Sequence, residues 1–358
     1  MKWSIKIGRF AGIDVFMHFT FILLISWVAL VHWRQGQSVT AALAGVAFIL
    51  VIFICVVLHE FGHALMARRY GIKARDIILL PIGGVARLEK LPTNPIQELW
   101  VALAGPAVNV VIVVALFFWL RITASLEPLQ SLTITAGPFM ERIMAVNIFM
   151  IIFNMIPAFP MDGGRVLRAL LATRKEYGRA TQIAASIGQG IAILFGFIGL
   201  FYNPFLLFIA LFVWIGAAQE ASMAQFKSAI GGIPVQQAMI SDFNALDLND
   251  RLNRAVELTL TGSQKDFPVV NNGTLEGILT QTDLLKALSN RKNYPTVASA
   301  IQKVYATVDP LDLLESAFAK LSDCNCHTLP VLQNGTLVGL VTMDNLGEYM
   351  RIQAAMSN

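Results

Sequence analysis

From Ala41 to Leu58 the chain runs through eighteen residues without a charged or strongly polar side chain, and His59-Glu60-Phe61-Gly62-His63 follows at once. Wound as a helix, a run of that length covers about 27 Å at 1.5 Å per residue, close to the ~30 Å hydrocarbon core of a bilayer. Inside lipid every backbone polar group must find its partner within the protein, which leaves a spanning helix as the natural fold of this segment. An acid and two imidazoles at the end of such a helix are costly, and their presence points to chemistry.

Four apart on a helix, His59 and His63 share one face and can hold a single zinc ion, while Glu60 lies beside them to take a proton from water at the metal. The pattern is that of a metalloprotease whose active site lies in the membrane. The same letters arise by accident in arbitrary helices; the apolar span around them gives this instance its weight. Zinc needs a third protein ligand, and Asp162 is the best candidate. It follows Asn154 to Met161, a stretch broken by Pro157 and Pro160 at the end of another apolar span. Irregular backbone at that depth is tolerated where it lines a cavity or is buried in protein. Gly163 and Gly164 permit a tight turn that could aim the carboxylate back at the metal. Taken alone, Asp162 could equally serve as a turn or cap residue.

Composition agrees with a membrane chain: 56% of residues are hydrophobic, 14% are charged, and the mean hydropathy is +0.62. Further apolar stretches lie near 15–33, 99–120, 143–161 and 180–219, the last interrupted at Tyr202-Asn203-Pro204. Reading that block as a hairpin gives a multi-pass α-helical protein of about six transmembrane helices. Met1 to Arg9 is polar and the first apolar run lacks a small-residue cleavage site, so that run is expected to stay as a permanent span. Fourteen lysines and arginines then fall on the side of the N-terminus against Arg34, Arg121 and Arg142 on the other. That bias predicts a plasma-membrane protein with both termini cytoplasmic and the His59 motif near the cytoplasmic end of its helix.

From Lys227 onward the chain reads as a soluble tail, with 10 basic and 13 acidic residues in 132 positions. The net charge of +4 thus reflects topology, and no nucleic-acid partner is expected. Domains are placed at 1–224 and 225–358. The tail repeats itself: Phe267-Pro268-Val269-Val270 recurs as Leu329-Pro330-Val331-Leu332, and Gly277-Ile278-Leu279-Thr280 as Gly339-Leu340-Val341-Thr342, both 62 residues apart. In each copy an Asn-Gly turn (Asn272-Gly273, Asn334-Gly335) separates two short strands, with helices before and after. Two α/β modules, about 230–290 and 296–352, are expected to pack on each other. Cys55 lies in a span and Cys324 and Cys326 in the tail; none is expected to form a disulfide.

These features together resemble the site-2 protease family of intramembrane metalloproteases, in its bacterial and archaeal branch with a C-terminal pair of cystathionine-β-synthase (CBS) domains. The likeness rests on H-E-F-G-H at 59–63, N-x-x-P-x-x-P-x-D-G-G from Asn154 to Gly164, A-G-P-A-V-N from Ala104 to Asn109, and the tail repeat. It implies peptide-bond hydrolysis in or near the membrane, with His59, His63 and Asp162 as zinc ligands and Glu60 as catalytic acid/base. Asn154 matches a family position thought to help bind substrate or the oxyanion; a buried helix-to-helix hydrogen bond is the alternative. The stretch Gly83-Gly84-Val85-Ala86-Arg87 resembles a re-entrant hairpin whose edge, at Gly84 and Val85, would pair with an unwound substrate. In the tail, Thr280 and Asp283 match positions that contact an adenine nucleotide such as ATP. Thr342 is retained in the second module, where Asn345 replaces the acid and puts that second site in doubt. The resemblance further implies regulated intramembrane proteolysis of a single-span or membrane-tethered substrate, and CBS-mediated homodimers.

Other polar residues invite plainer readings. Gly105, Pro106 and Asn109 suit close helix packing, with Asn109 a possible support for the site. His32, beside Trp33 and Arg34, reads as interfacial, His327 has no partner pattern, and His18 is expected to pair with Asp14 one helical turn away. A CBS-gated transporter or channel and a catalytically silent scaffold are the competing functions. The first predicts inverted repeats or paired broken helices, which the membrane half lacks. The second leaves an expensive buried acid without a use.

Overall fold

The computed structural model describes residues 4–36, 38–81, 83–89, 92, 94–123, 137–289, 296–303, 305–324 and 326–356. Two units meet in sequence at Ala224 and Gln225. The first holds β1 (Ser4–Phe10), β2 (Ile13–His18), α1 (Thr20–Gly36), α2 (Val39–Arg69), β3 (Ala74–Leu80), β4 (Gly83–Leu88), α3 (Pro95–Ile122), α4 (Phe139–Asn154), α5 (Asp162–Ala172), α6 (Tyr177–Phe201) and α7 (Phe205–Ile230), the last crossing into the second unit.

Four of these helices, α2, α3, α6 and α7, are long and apolar enough to cross a membrane. With 17 and 16 residues, α1 and α4 run only about 25 Å, short of the hydrocarbon core, so among the described residues four helices meet the length of a span where the sequence predicts about six. Burial is inverted relative to a soluble protein. Trp27, Val111, Trp119, Leu200 and Phe208 stand on the surface, while His59, His63, Glu98, Asn109, Asn147, Asp162 and Arg168 are buried. That distribution suits a lipid solvent, which welcomes the apolar exterior and drives polar groups inward to one another.

The strands form one sheet in the order β1-β2-β3-β4, antiparallel at both ends and parallel between β2 and β3. Its β2 segment corrects the sequence reading, which began a span at residue 15. Ile13 and Val15 are buried and Asp14 and Phe16 are less so, the period-two pattern of a strand. Residues four apart on a strand are about 13 Å apart, so Asp14 and His18 do not pair. Asp14 instead meets Lys6 at 2.8 Å and Arg9 at 3.6 Å across the hairpin, and His18 Nδ1 lies 2.8 Å from Thr20 Oγ1. Ile13, Val15, Ile77 and Leu79 pack with Phe21, Phe53 and Ala64, fixing the sheet against the part of α2 that carries the histidines.

The second unit contains β5 (Leu246–Asp247), α8 (Leu252–Thr261), β6 (Phe267–Asn271), β7 (Thr274–Leu279), α9 (Gln281–Ser289), α10 (Leu314–Cys324), β8 (Thr328–Gln333), β9 (Thr336–Thr342) and α11 (Met343–Met356). Both Asn-Gly turns take positive φ at each residue, as a two-residue hairpin requires. The 62-residue repeat extends to the pairing. Leu246 against Val269 is matched by Val308 against Val331, and Ile278 against Gln302 by Leu340 against Ile240. The last correspondence is crossed: the opening segment of each module pairs with the sheet of the other, so neither module is complete alone. Asp266 and Thr328, equivalent positions, hydrogen-bond at 2.7 Å where the copies meet. Cys55 is free and buried as expected, but Cys324 and Cys326 form a disulfide, which corrects the expectation of three unpaired cysteines.

Candidate metal centre

Two helical turns of α2 and the first residue of α5 build the site. His59 and His63, four apart, both turn inward and are buried. The Nδ1 of His59 lies 2.5 Å from Asn109 Oδ1, and that of His63 lies 2.7 Å from the Val101 carbonyl oxygen. Both partners are acceptors, so each Nδ1 carries the hydrogen and each Nε2 presents a lone pair to the interior. The Asn109 amide is itself oriented, because its Nδ2 donates to Asn147 Oδ1 at 2.8 Å and Asn147 Nδ2 donates to the Ile143 carbonyl at 2.8 Å. A three-helix relay from α4 through α3 thus sets the tautomer of a histidine on α2.

On α3, Val101, Gly105 and Asn109 recur every four residues and face α2. A Cβ on Gly105 would lie 2.2 Å from His63 Nε2 and 2.7 Å from His59 Nε2. The missing side chain is therefore the space in which the imidazole tips meet, a more specific role than the helix packing expected of it. Gly62 does serve packing, since its Cβ would come within 2.5 Å of the Ala104 carbonyl oxygen.

Asp162 closes the triangle. Its Oδ2 is 3.2 Å from each histidine Nε2, and the two Nε2 atoms are 3.1 Å apart. Three donors at metal–ligand distances of about 2.0–2.1 Å around a tetrahedral zinc would be about 3.3 Å from one another, so the residues fit that ion. Among the described residues this is a group of acid and imidazole side chains able to hold a metal ion. The turn before α5 brings the carboxylate here. Cβ atoms on Gly163 and Gly164 would come within 2.3 Å of the Ile156 carbonyl oxygen and 2.6 Å of the Ala158 carbonyl carbon. These glycines work by close approach of backbone to the proline-broken segment.

Glu60, half-buried beside the triangle, accepts a hydrogen bond at Oε2 from the Ala86 N–H of β4 at 3.0 Å. Gly84 sits against it, and Val85 is 46% exposed on the same strand. Asn154 ends α4, half-buried, and its side-chain amide makes no hydrogen bond among the described residues.

Sequence reasoning missed Asn147 and a second buried cluster. Arg168 on α5 donates from Nε to Glu98 Oε1 at 2.7 Å and from Nη1 to Glu220 Oε2 at 2.8 Å, with its guanidinium over the Phe159 and Tyr177 rings. Counted by sequence among the cytoplasmic loop charges, Arg168 is in fact only 1% exposed and joins α5 to α3 and α7. Asn147 carried a readable signal, a lone amide within an apolar run.

In the tail, Asp283 Oδ2 accepts from Thr280 Oγ1 and from Gln302 Nε2, each at 2.6 Å. An open cavity of about 830 Å³ beside α9 is lined by Thr282, Asp283, Lys286, Ser289 and Ser299. In the second module the Thr342 hydroxyl accepts from the Asn345 N–H, and the buried Asn345 Oδ1 has no hydrogen-bond partner among the described residues.

The profile of peptidase family M50 matches residues 47–133 and 120–195, and that of the CBS domain matches 232–290 and 297–351. A zinc metalloprotease of Methanocaldococcus jannaschii is 31% identical over 353 residues, 98% of this chain and 97% of that one. Stage IV sporulation protein FB of Bacillus subtilis is 26% identical over 157 residues, 44% of this chain and 51% of its own. Among solved structures, a site-2 protease from Methanocaldococcus jannaschii shares 37% identity, covering 61% of this chain and 95% of that one with a TM-score of 0.45.

Proposed function

The chain belongs to peptidase family M50, the site-2 protease family, and we propose that it is an intramembrane zinc metalloprotease regulated by its CBS pair. One observation carries the reading: Nε2 of His59, Nε2 of His63 and Oδ2 of Asp162 converge in a buried site within 3.2 Å of one another. These three side chains would hold the ion, which when bound supplies Lewis acidity toward water and the scissile carbonyl. Asn109 and the Val101 carbonyl keep both Nε2 atoms unprotonated and aimed inward. Glu60 accepts the proton of the attacking water on its carboxylate and returns it to the leaving amine. Asn154, whose side-chain amide makes no hydrogen bond among the described residues, would donate to the developing oxyanion or to substrate backbone.

A substrate helix hides its carbonyls in hydrogen bonds and must unwind before attack. Support for strand pairing comes from β4, the outermost strand of its sheet. Because Ala86 donates to Glu60 and away from β3, alternation turns the N–H and C=O groups of Gly84 and Ala86 to the outer edge of the sheet, on the side of Glu60. An extended peptide added there would lie along Glu60. Substrates of this class are single-span or membrane-tethered proteins, cleaved in or near the span. The membrane domain, 1–224, carries the chemistry near the cytoplasmic face of the plasma membrane, with both termini cytoplasmic. The tail, 225–358, binds an adenine nucleotide at Thr280 and Asp283 in the first module, with Thr342 in the second, and pairs two chains.

The test is reconstitution of wild type and Glu60→Gln with candidate tethered substrates, products identified by mass spectrometry, with and without ATP. Cleavage by wild type alone is expected. Equal turnover by both forms removes the mechanism.

A further inference from the structure

The Glu60 carboxylate and a docking peptide compete for one hydrogen. In an added antiparallel strand, the residue opposite Ala86 would accept the Ala86 N–H with its carbonyl and donate its own N–H to the Ala86 carbonyl. That same N–H is engaged by Glu60 Oε2 at 3.0 Å. A backbone amide has a single hydrogen, so the two acceptors cannot both hold it at full strength. The approach is made possible by Gly84, where a Cβ would lie 2.7 Å from Glu60 Cγ and 3.0 Å from Val56 Cγ1.

We infer that Ala86 N–H is a handover donor: it ties Glu60 to β4 in the resting protein, and an extended substrate strand takes it over, releasing the carboxylate as the peptide docks. This rests on the reading of β4 as the edge that pairs with substrate. Gly84 is then a positioning residue, keeping β4 close enough for the tie. The device couples occupancy of the edge to freedom of the base, so a peptide that fails to pair at Ala86 leaves Glu60 restrained.

The experiment uses the full chain in detergent and two Glu60 variants, neither cleaving. Glu60→Gln keeps an oxygen that can accept from Ala86, whereas Glu60→Ala has none. Residue-resolved amide exchange reads the resting contact: the Ala86 amide should exchange about tenfold faster in Glu60→Ala than in wild type or Glu60→Gln. Fluorescence anisotropy with a labelled ten-residue alternating valine–threonine peptide reads the handover. Binding to Glu60→Ala should be about tenfold tighter than to Glu60→Gln, and adding Ala86→Pro should erase the difference. Proline is tolerated on an edge strand where the N–H faces outward. Equal exchange, or equal affinity of the two variants while Ala86→Pro weakens both, overturns the handover and leaves the edge reading standing. If Ala86→Pro changes neither affinity, or the peptide binds no form at millimolar concentration, the edge reading itself falls and the inference with it.

Discussion

His59 is held from behind by Asn109, and Asn109 by Asn147, so the direction of one lone pair depends on three buried polar residues on three helices. Asn109→Ala should lower zinc affinity by about 10–100-fold with little change in helix content, measured by chelator competition in detergent. Gly105→Ala should cost more, because its methyl would occupy the place where the imidazole tips meet. Zinc content near zero with intact circular dichroism is the expected result. The three side chains that the fold brings together, His59, His63 and Asp162, were readable from spacing and from a broken span. The relay was not: Asn109 could be read as packing, and a carbonyl such as Val101 leaves no mark in the sequence. Its hydrogen bond to His63 exists only because α3 and α2 approach at Gly62 and Gly105.

At the scale of elements, α5 carries Asp162 at its first residue and Arg168 two turns later. The Arg168 ion pairs with Glu98 and Glu220 fasten that helix to α3 and α7. Arg168→Ala leaves Glu98 buried without its ion-pair partner, and a loss of about 3–5 kcal/mol in detergent unfolding is expected. Arg174→Ala, at an exposed position, should change stability by less than about 0.5 kcal/mol. The edge strand carries its own distinction. By alternation the Val85 N–H faces β3, so Val85→Pro should open the β3–β4 ladder and destabilise the hairpin, while Ala86→Pro should spare it. Thermal unfolding of the two variants checks this. The long helices were legible because eighteen apolar residues leave lipid-bound backbone few alternatives. β2 was misread because Ile13 to His18 continues without a break into α1, so a six-residue alternation was absorbed into the following apolar run.

For the whole molecule, the tail repeats at 62 residues, but its crossed pairing at Ile240 and Gln302 was hidden, since an isolated bridge needs only one residue of pattern. The two modules differ at the acid. Asp283 accepts from Thr280 and Gln302, whereas the buried Asn345 oxygen finds no partner among the described residues. Calorimetry on the full chain should give one adenine-nucleotide site per chain, lost in Asp283→Ala and retained in Asn345→Ala. Two equal sites, or none at millimolar ATP, would contradict that asymmetry. The account as a whole depends on α2 and α5 sharing one ion across 103 residues of sequence. Zinc X-ray absorption on the purified chain, with metal content by mass spectrometry, tests this most directly. One zinc per chain with two imidazoles and one carboxylate oxygen is predicted, falling to none when His59, His63 and Asp162 are all replaced by alanine. Zinc that survives the triple replacement, or a wild-type ion without the carboxylate, would contradict it.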